Sequence, residues 1–148
     1  MTTQATGSII VKGTPDQNYK FWADLNNYSK FMRHVKSVER LDDNTSHWVL
    51  EGSDGETLEW EAEITRQEDN KRIAWNSKED PRMAASGQVT FNGLPDNQTE
   101  VTVTLQYSPT SQAGEAANAL VKNLDQDLTE DLRNFKAIVE DMPGRVTR

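Results

Sequence analysis

Between Thr57 and Thr65 apolar and acidic side chains alternate without a break: Leu58, Trp60, Ala62 and Ile64 are interleaved with Glu59, Glu61 and Glu63. Side chains of an extended chain point alternately to opposite faces, so this segment can separate its two sets only as a strand with one dry and one wet face. A helix would scatter the same residues around its circumference. The glutamates then share a face, with neighbours roughly 7 Å apart. Such a row could serve as a paired-carboxylate acid/base site or a hard-cation site. The stronger reading is the solvated outside of an antiparallel sheet.

The rest of the chain follows from that strand. Glu100 to Tyr107 repeats the alternation, with Val101, Val103, Leu105 and Tyr107 opposite Thr102, Thr104 and Gln106. Shorter β-rich runs cover Ser8 to Lys12, Val35 to Leu41, Ser46 to Glu51, Arg72 to Ser77 and Gly87 to Asn92. Turn residues separate them at Asp42-Asp43-Asn44, Ser53-Asp54-Gly55, Asp69-Asn70 and Gly93 to Gln98, and such short spacings make antiparallel neighbours. Thr14-Pro15-Asp16-Gln17 is a helix start with capping-box spacing. It opens a short helix carrying Tyr19, Trp22, Ala23 and Leu25, and a second covers Tyr28 to Met32. Lys78 to Arg82, charged and containing Pro81, reads as a loop.

After Pro109 the period changes. From about Ser111, Ala113, Ala117, Leu120, Leu124, Leu128, Leu132, Phe135, Ile138 and Met142 recur three or four apart, opposite Lys122, Asp125, Glu130, Arg133, Lys136 and Glu140. This is one amphipathic helix, roughly 40 Å long, stopped by Pro143-Gly144. The fold class is therefore α+β: a curved antiparallel sheet of about seven strands wrapped on one long C-terminal helix, with two short helices after the first strand. One domain is expected over 1–148, its core at about 8–141. A strongly curved sheet closed by one helix can leave a hollow between them.

Composition narrows the partners. The 148 residues carry a net charge of −8 and a pI near 4.7, which opposes binding to nucleic acid or docking on anionic lipid. Cysteine is absent, so disulfides and Cys-based zinc sites are excluded. The polar N-terminus and the lack of any run near 20 apolar residues lead us to expect a cytoplasmic protein without stable membrane insertion, monomeric or homodimeric.

Several stretches in this order resemble the START/polyketide cyclase superfamily, which has the helix-grip fold. They are Ser8-Ile9-Ile10-Val11 followed by Pro15; Tyr28-Ser29-Lys30-Phe31-Met32; Val35 to Leu41; Thr45-Ser46-His47-Trp48; Leu58 to Thr65; Arg72-Ile73-Ala74-Trp75; Gly87 with Val89 and Phe91; and Asp131 to Lys136. The nearest likeness is to bacterial cyclase/dehydrase or coenzyme-Q-binding-like proteins. The resemblance implies a cavity between sheet and long helix for an apolar small molecule: a lipid, a quinone or a polyketide-like compound. It also implies an alternative, an aromatase/cyclase or dehydratase acting on a polyketide-like substrate. Whether the chain is an enzyme stays open at this point, and an interaction module ranks behind both readings.

The residues expected to line such a cavity are Phe31, Met32, Trp48, Trp60, Trp75, Phe91, Tyr107, Leu124 and Leu128; taken singly, each also suits plain core packing. Arg33 and His34 are candidates for a polar rim, Arg33 because it follows Phe31-Met32 at the expected entrance. Arg72 and Arg82 read as surface charge, and His47 as a surface or rim histidine. His34, Arg33 and Tyr107 are the catalytic candidates by default. Asp131, Arg133 and Lys136 read as helix surface, with Glu130 the better-spaced partner for Arg133. No metal site or cofactor is expected, since neither histidine stands at a metal-binding spacing. Ligand entry is expected near Phe31 to Val35 or Lys78 to Ala85.

Overall fold

The computed structural model describes residues 2–51, 55–79, 83–110 and 114–141. Seven strands form one antiparallel sheet: β1 (Thr3–Lys12), β2 (Val35–Arg40), β3 (Thr45–Glu51), β4 (Thr57–Glu68), β5 (Arg72–Ser77), β6 (Met83–Leu94) and β7 (Gln98–Pro109). Their spatial order is β1-β7-β6-β5-β4-β3-β2. The hairpins from β2 to β7 thus lie side by side, and β1 closes against β7. Register shifts between Val35 and Ser37 and between Ile64 and Arg66 mark bulges, which bend strands and help curl a sheet into a half-barrel. Left-handed backbone at Asn70 and at consecutive Asp96 and Asn97 makes two of the hairpin turns; these residue types tolerate that region best after glycine.

Alternation sorts the strand residues as expected. Leu58, Trp60 and Ala62 are buried on the concave face of β4, while Glu59, Glu61 and Glu63 are exposed on the other. Strand β1 begins at Thr3, five residues earlier than its apolar run suggests. Its polar residues occupy the convex face, where Thr6 and Ser8 pair with Thr104 and Thr102 of β7 through their hydroxyls at 3.2 and 2.8 Å. On the concave face Gly7 leaves room for the C-terminal helix: a Cβ there would stand 3.0 Å from Leu132 Cδ1.

Between β1 and β2 lie α1 (Pro15–Ala23), a 3-10 turn (Leu25–Asn27) and α2 (Tyr28–Phe31). The capping box forms as the sequence predicts. Gln17 N donates to Thr14 Oγ1 at 3.1 Å and Thr14 N to Gln17 Oε1 at 2.9 Å. These helices carry three members of an aromatic cluster completed by Phe135 of the C-terminal helix: Trp22 meets Tyr28, Phe31 and Phe135 at centroid distances of 5.4, 4.9 and 5.3 Å.

The long C-terminal helix is not continuous. Helix α3 (Gly114–Lys122) and helix α4 (Leu124–Glu140) are separated at Asn123, whose φ of −125° and ψ of 37° leave the helical region. The apolar stripe runs through the break because both helices face the same sheet. Periodicity alone cannot detect a single non-helical residue that preserves the phase. Helix α4 packs along β1, and α3 reaches β4 and β7. No described helix is long and apolar enough to cross a membrane.

Candidate ligand-binding site

The hollow expected from the curvature lies between the concave face and the two C-terminal helices. It is bounded by Met32, His34 and Val35 after α2; by Trp48 and Leu50, Trp60, Trp75, Ala85, and Leu105 and Tyr107 on β3 to β7; and by Leu120 on α3 and Leu124, Asp127, Leu128 and Asp131 on α4. The void between these side chains, mouth included, is about 540 Å³, but only about 30 Å³ admits the centre of a water molecule. That is room for one or two waters. The walls interleave, and a larger guest must displace side chains.

Three tryptophans build one wall. Trp48 and Trp60 are direct cross-strand partners, near-parallel at 17° with centroids 6.4 Å apart. Trp75 lies 5.5 Å from Trp48 at 27°. Its ring lies across Gly87, its partner on β6. A Cβ on Gly87 would come within 2.6 Å of Trp75 Cε2 and closer still to Cζ2. Glycine is therefore what lets that indole rest on the sheet. Tyr107 meets Trp60 at 6.1 Å and 60°.

The structure brings seven of the nine expected lining residues around the hollow: Met32, Trp48, Trp60, Trp75, Tyr107, Leu124 and Leu128. Phe31 and Phe91 fall elsewhere, and the sequence expectation for them is corrected. Phe31 is held in the aromatic cluster against Trp22 and Phe135, at 4.9 and 5.6 Å. Phe91 meets Tyr19 of α1 edge-on at 5.8 Å. Both point inward, but helices α1 and α2 cover that part of the sheet and fill it.

The polar groups gather where α2 and α4 meet. His34 lines the hollow; its Nε2 lies 3.0 Å from Asp127 Oδ2 and its Nδ1 3.2 Å from the Glu51 carbonyl. Arg33 stands behind this rim. Its guanidinium forms an ion pair with Glu130 and lies 4.0 Å from Asp127 and 3.9 Å from Asp131. A ligand carboxylate would have to compete with three resident ones, so Arg33 is poorly suited to anchoring an acid. Glu130 thus serves Arg33, not Arg133.

Asp131 overturns its reading as helix surface. It is 8% exposed and lines the hollow, Oδ1 accepting a hydrogen bond from the Arg33 backbone N–H at 3.3 Å. Burial pushes its carboxyl up to about 6, against the lowering pull of the Arg33 N–H, the Arg33 charge and His34. Burial, with a further contribution from Asp131, also raises the Tyr107 hydroxyl well above its usual value. The hint in the sequence was positional: Asp131 follows Leu124 and Leu128 by seven and three residues, on the inward stripe. A charged residue at such a place reads as surface until the packing is known.

Other candidates are set apart. His47 faces outward and its Nε2 lies 2.9 Å from Glu59 Oε1. Arg72 alternates with buried Ile73 and Trp75, and so belongs to the convex face. Arg82 lies outside the described residues, as does the middle of the expected entry loop. The end of that loop, Met83 to Ala85, is already strand β6, with Met83 and Ala85 buried. Among the described residues no group of three or more His, Asp and Glu side chains is placed to hold a metal ion.

This architecture has known counterparts. The family model for polyketide cyclase/dehydrase and lipid transport proteins matches residues 11–136. The chain belongs to that family. An uncharacterised 17.2 kDa protein from Streptomyces lincolnensis is 30% identical over 123 residues, 83% of this chain and 80% of its own. The crystal structure of DR_A0006 from Deinococcus radiodurans superposes with a TM-score of 0.76 at 36% identity, covering 93% of this chain and 97% of that one. A START superfamily protein from Mycobacterium smegmatis has the same TM-score, 0.76, at 12% identity, over 93% of this chain and 97% of its own. At that identity the likeness is one of fold, and it agrees with the helix-grip arrangement described above.

Proposed function

We propose that this family member binds an apolar small molecule, a lipid, quinone or polyketide-like compound, in the hollow between sheet and C-terminal helices. It acts as a cytoplasmic monomer or homodimer. The observation that carries the reading is the near-parallel wall of Trp48, Trp60 and Trp75 in an apolar hollow. An apolar lining with a few polar groups converging at one end is the usual form of a small-molecule site. Each Å² of ligand surface removed from water contributes about 25 cal/mol before ordering costs. Two features suit the hollow to opening. Met32, an unbranched and adaptable side chain, borders it, and α3, which carries Leu120, is separated from α4 by the break at Asn123.

The test is a fluorescence titration. The protein is stripped with organic solvent, refolded and titrated with quinones, fatty acids, sterols and flat polyphenols. Saturable quenching at micromolar ligand, lost in Trp60→Ala or Trp75→Ala with the fold intact, is expected. No saturable response from any class would refute the proposal and favour an interaction module.

A second reading, cyclase or dehydratase activity, is favoured by one observation: Asp131 and Tyr107 face the same hollow, with the His34–Asp127 pair on its rim. Enolisation and water loss need a group that gives a proton and one that takes it, and a carboxyl raised to about 6 suits such exchange near neutral pH. Chemical change of the bound molecule, abolished by Asp131→Asn, would separate an enzyme from a carrier.

A further inference from the structure

Most polar atoms around the hollow are already committed. Trp48 Nε1 donates to Ser46 Oγ at 2.9 Å. His34 is held between Glu51 and Asp127. Trp60 is different: it is 6% exposed and lines the hollow, yet its Nε1 is buried with no acceptor among the described residues. Trp22 Nε1 also lacks an acceptor, but Trp22 lies outside the hollow, packed near-perpendicular to Tyr28, Phe31 and Phe135 at 67°, 69° and 63°, where aromatic faces can receive the N–H. Asp131 uses only Oδ1, towards the Arg33 N–H; among the described residues Oδ2 receives no hydrogen bond. Tyr107 packs against Trp60, with ring centroids 6.1 Å apart, and lines the same hollow as Asp131.

We propose that Trp60 and Asp131 form a recognition point for a hydroxyl group, whether alcohol, phenol or enol, on an otherwise apolar ligand. The inference rests on the reading of the hollow as a binding site. A hydroxyl oxygen accepts from the Trp60 indole N–H while its proton is donated to the Asp131 carboxylate, so one group satisfies both partners. A ketone or ether offers no proton to Asp131. An ammonium offers no lone pair to Trp60. A carboxylate meets Asp131 and Asp127 in the same lining, and two resident negative charges in a confined apolar space disfavour a third. An unfunctionalised hydrocarbon leaves the indole N–H buried and unpaired, which costs binding as an unmade hydrogen bond does.

Four probes of one shape test this by calorimetry at neutral pH: 2-naphthol, 2-methoxynaphthalene, naphthalene and 2-naphthoate. Naphthol is expected to bind about tenfold more tightly than naphthalene, the equivalent of one well-made hydrogen bond. Methoxynaphthalene should fall nearer to naphthalene, and naphthoate last. Trp60→Phe, which keeps a ring and removes the N–H, should reduce the naphthol preference several-fold without weakening naphthalene. Asp131→Asn should bring naphthoate up by about tenfold as the repelling charge disappears. The comparison among probes on the unaltered protein stands even if a variant folds poorly. Naphthalene and naphthol binding equally, or naphthoate binding best, would overturn the hydroxyl recognition while leaving the binding reading intact. Failure of all four to bind would overturn both.

Discussion

Replacing Asp131 by asparagine should stabilise the protein, and by an amount that depends on pH. The side chain is only 11% exposed, and its carboxyl is raised from an ordinary 3.8 to about 6, chiefly by burial. A group whose folded value is raised binds its proton more tightly in the folded state. Below about pH 3 both states hold the proton and ionisation costs nothing. Between about pH 4, where the unfolded chain ionises freely, and about pH 6, where the folded protein gives up its buried proton, stability is lost, and above that window the loss is complete. The rise corresponds to roughly 3 kcal/mol. Asparagine has the shape of the protonated acid and never ionises. Its stability relative to the parent should therefore climb from near zero at about pH 3 to about 2–3 kcal/mol in its favour near pH 7.5. Urea unfolding followed by tryptophan fluorescence at several pH values reads this directly, because titrating groups that do not interact with Asp131 cancel in the difference. A difference that stays constant from about pH 4 to about pH 8, or that favours the parent more as pH rises, would refute the argument. A residue that costs stability at working pH is a candidate for selection by function, which is why Asp131 carries weight in the site.

Gly87→Ala should push the Trp75 indole off the sheet, costing about 1–3 kcal/mol and altering the near-ultraviolet circular dichroism; an unchanged spectrum and stability would show that the ring does not lie there. Thr14→Ala removes the capping box of α1 and should cost about 1 kcal/mol in urea unfolding. Tyr28→Phe deletes a hydroxyl that donates to the buried Trp22 carbonyl at 2.8 Å. It should destabilise the protein by about 1–3 kcal/mol, and no measurable change in the unfolding midpoint would count against that bond.

The strands were legible because their burial is one-sided. Where Leu58, Trp60 and Ala62 alternate with glutamates, only one strand face can be dry, and the structure has it so. The early start of β1 was not legible, since Gln4, Thr6 and Ser8 carry no apolar signal. They belong to the sheet through pairing with β7, a partner almost one hundred residues away. The break at Asn123 was hidden because the stripe keeps its phase across it. The site was legible in kind but not in detail. Alternation puts Trp48, Trp60, Trp75, Phe91 and Tyr107 on the concave face, yet cannot say which part of that face the short helices cover. That covering removes Phe91 from the hollow, as the clustering of Phe31 with Trp22 and Phe135 removes it. Asp131 was misplaced for a related reason: a carboxylate on an apolar stripe is costly, and the cost becomes visible only with the Arg33 backbone N–H and guanidinium beside it.

The central claim is that a guest enters between the tryptophan wall and the C-terminal helices. Carbon-13 methyl spectra of leucine- and methionine-labelled protein, recorded with and without the tightest ligand of the panel, test it most directly. Saturable shifts are expected at Met32, Leu50, Leu105, Leu124 and Leu128, which border the hollow, and none at Leu41, which is exposed. Shifts confined to surface methyls such as Leu41, or a spectrum indifferent to every ligand, would contradict it.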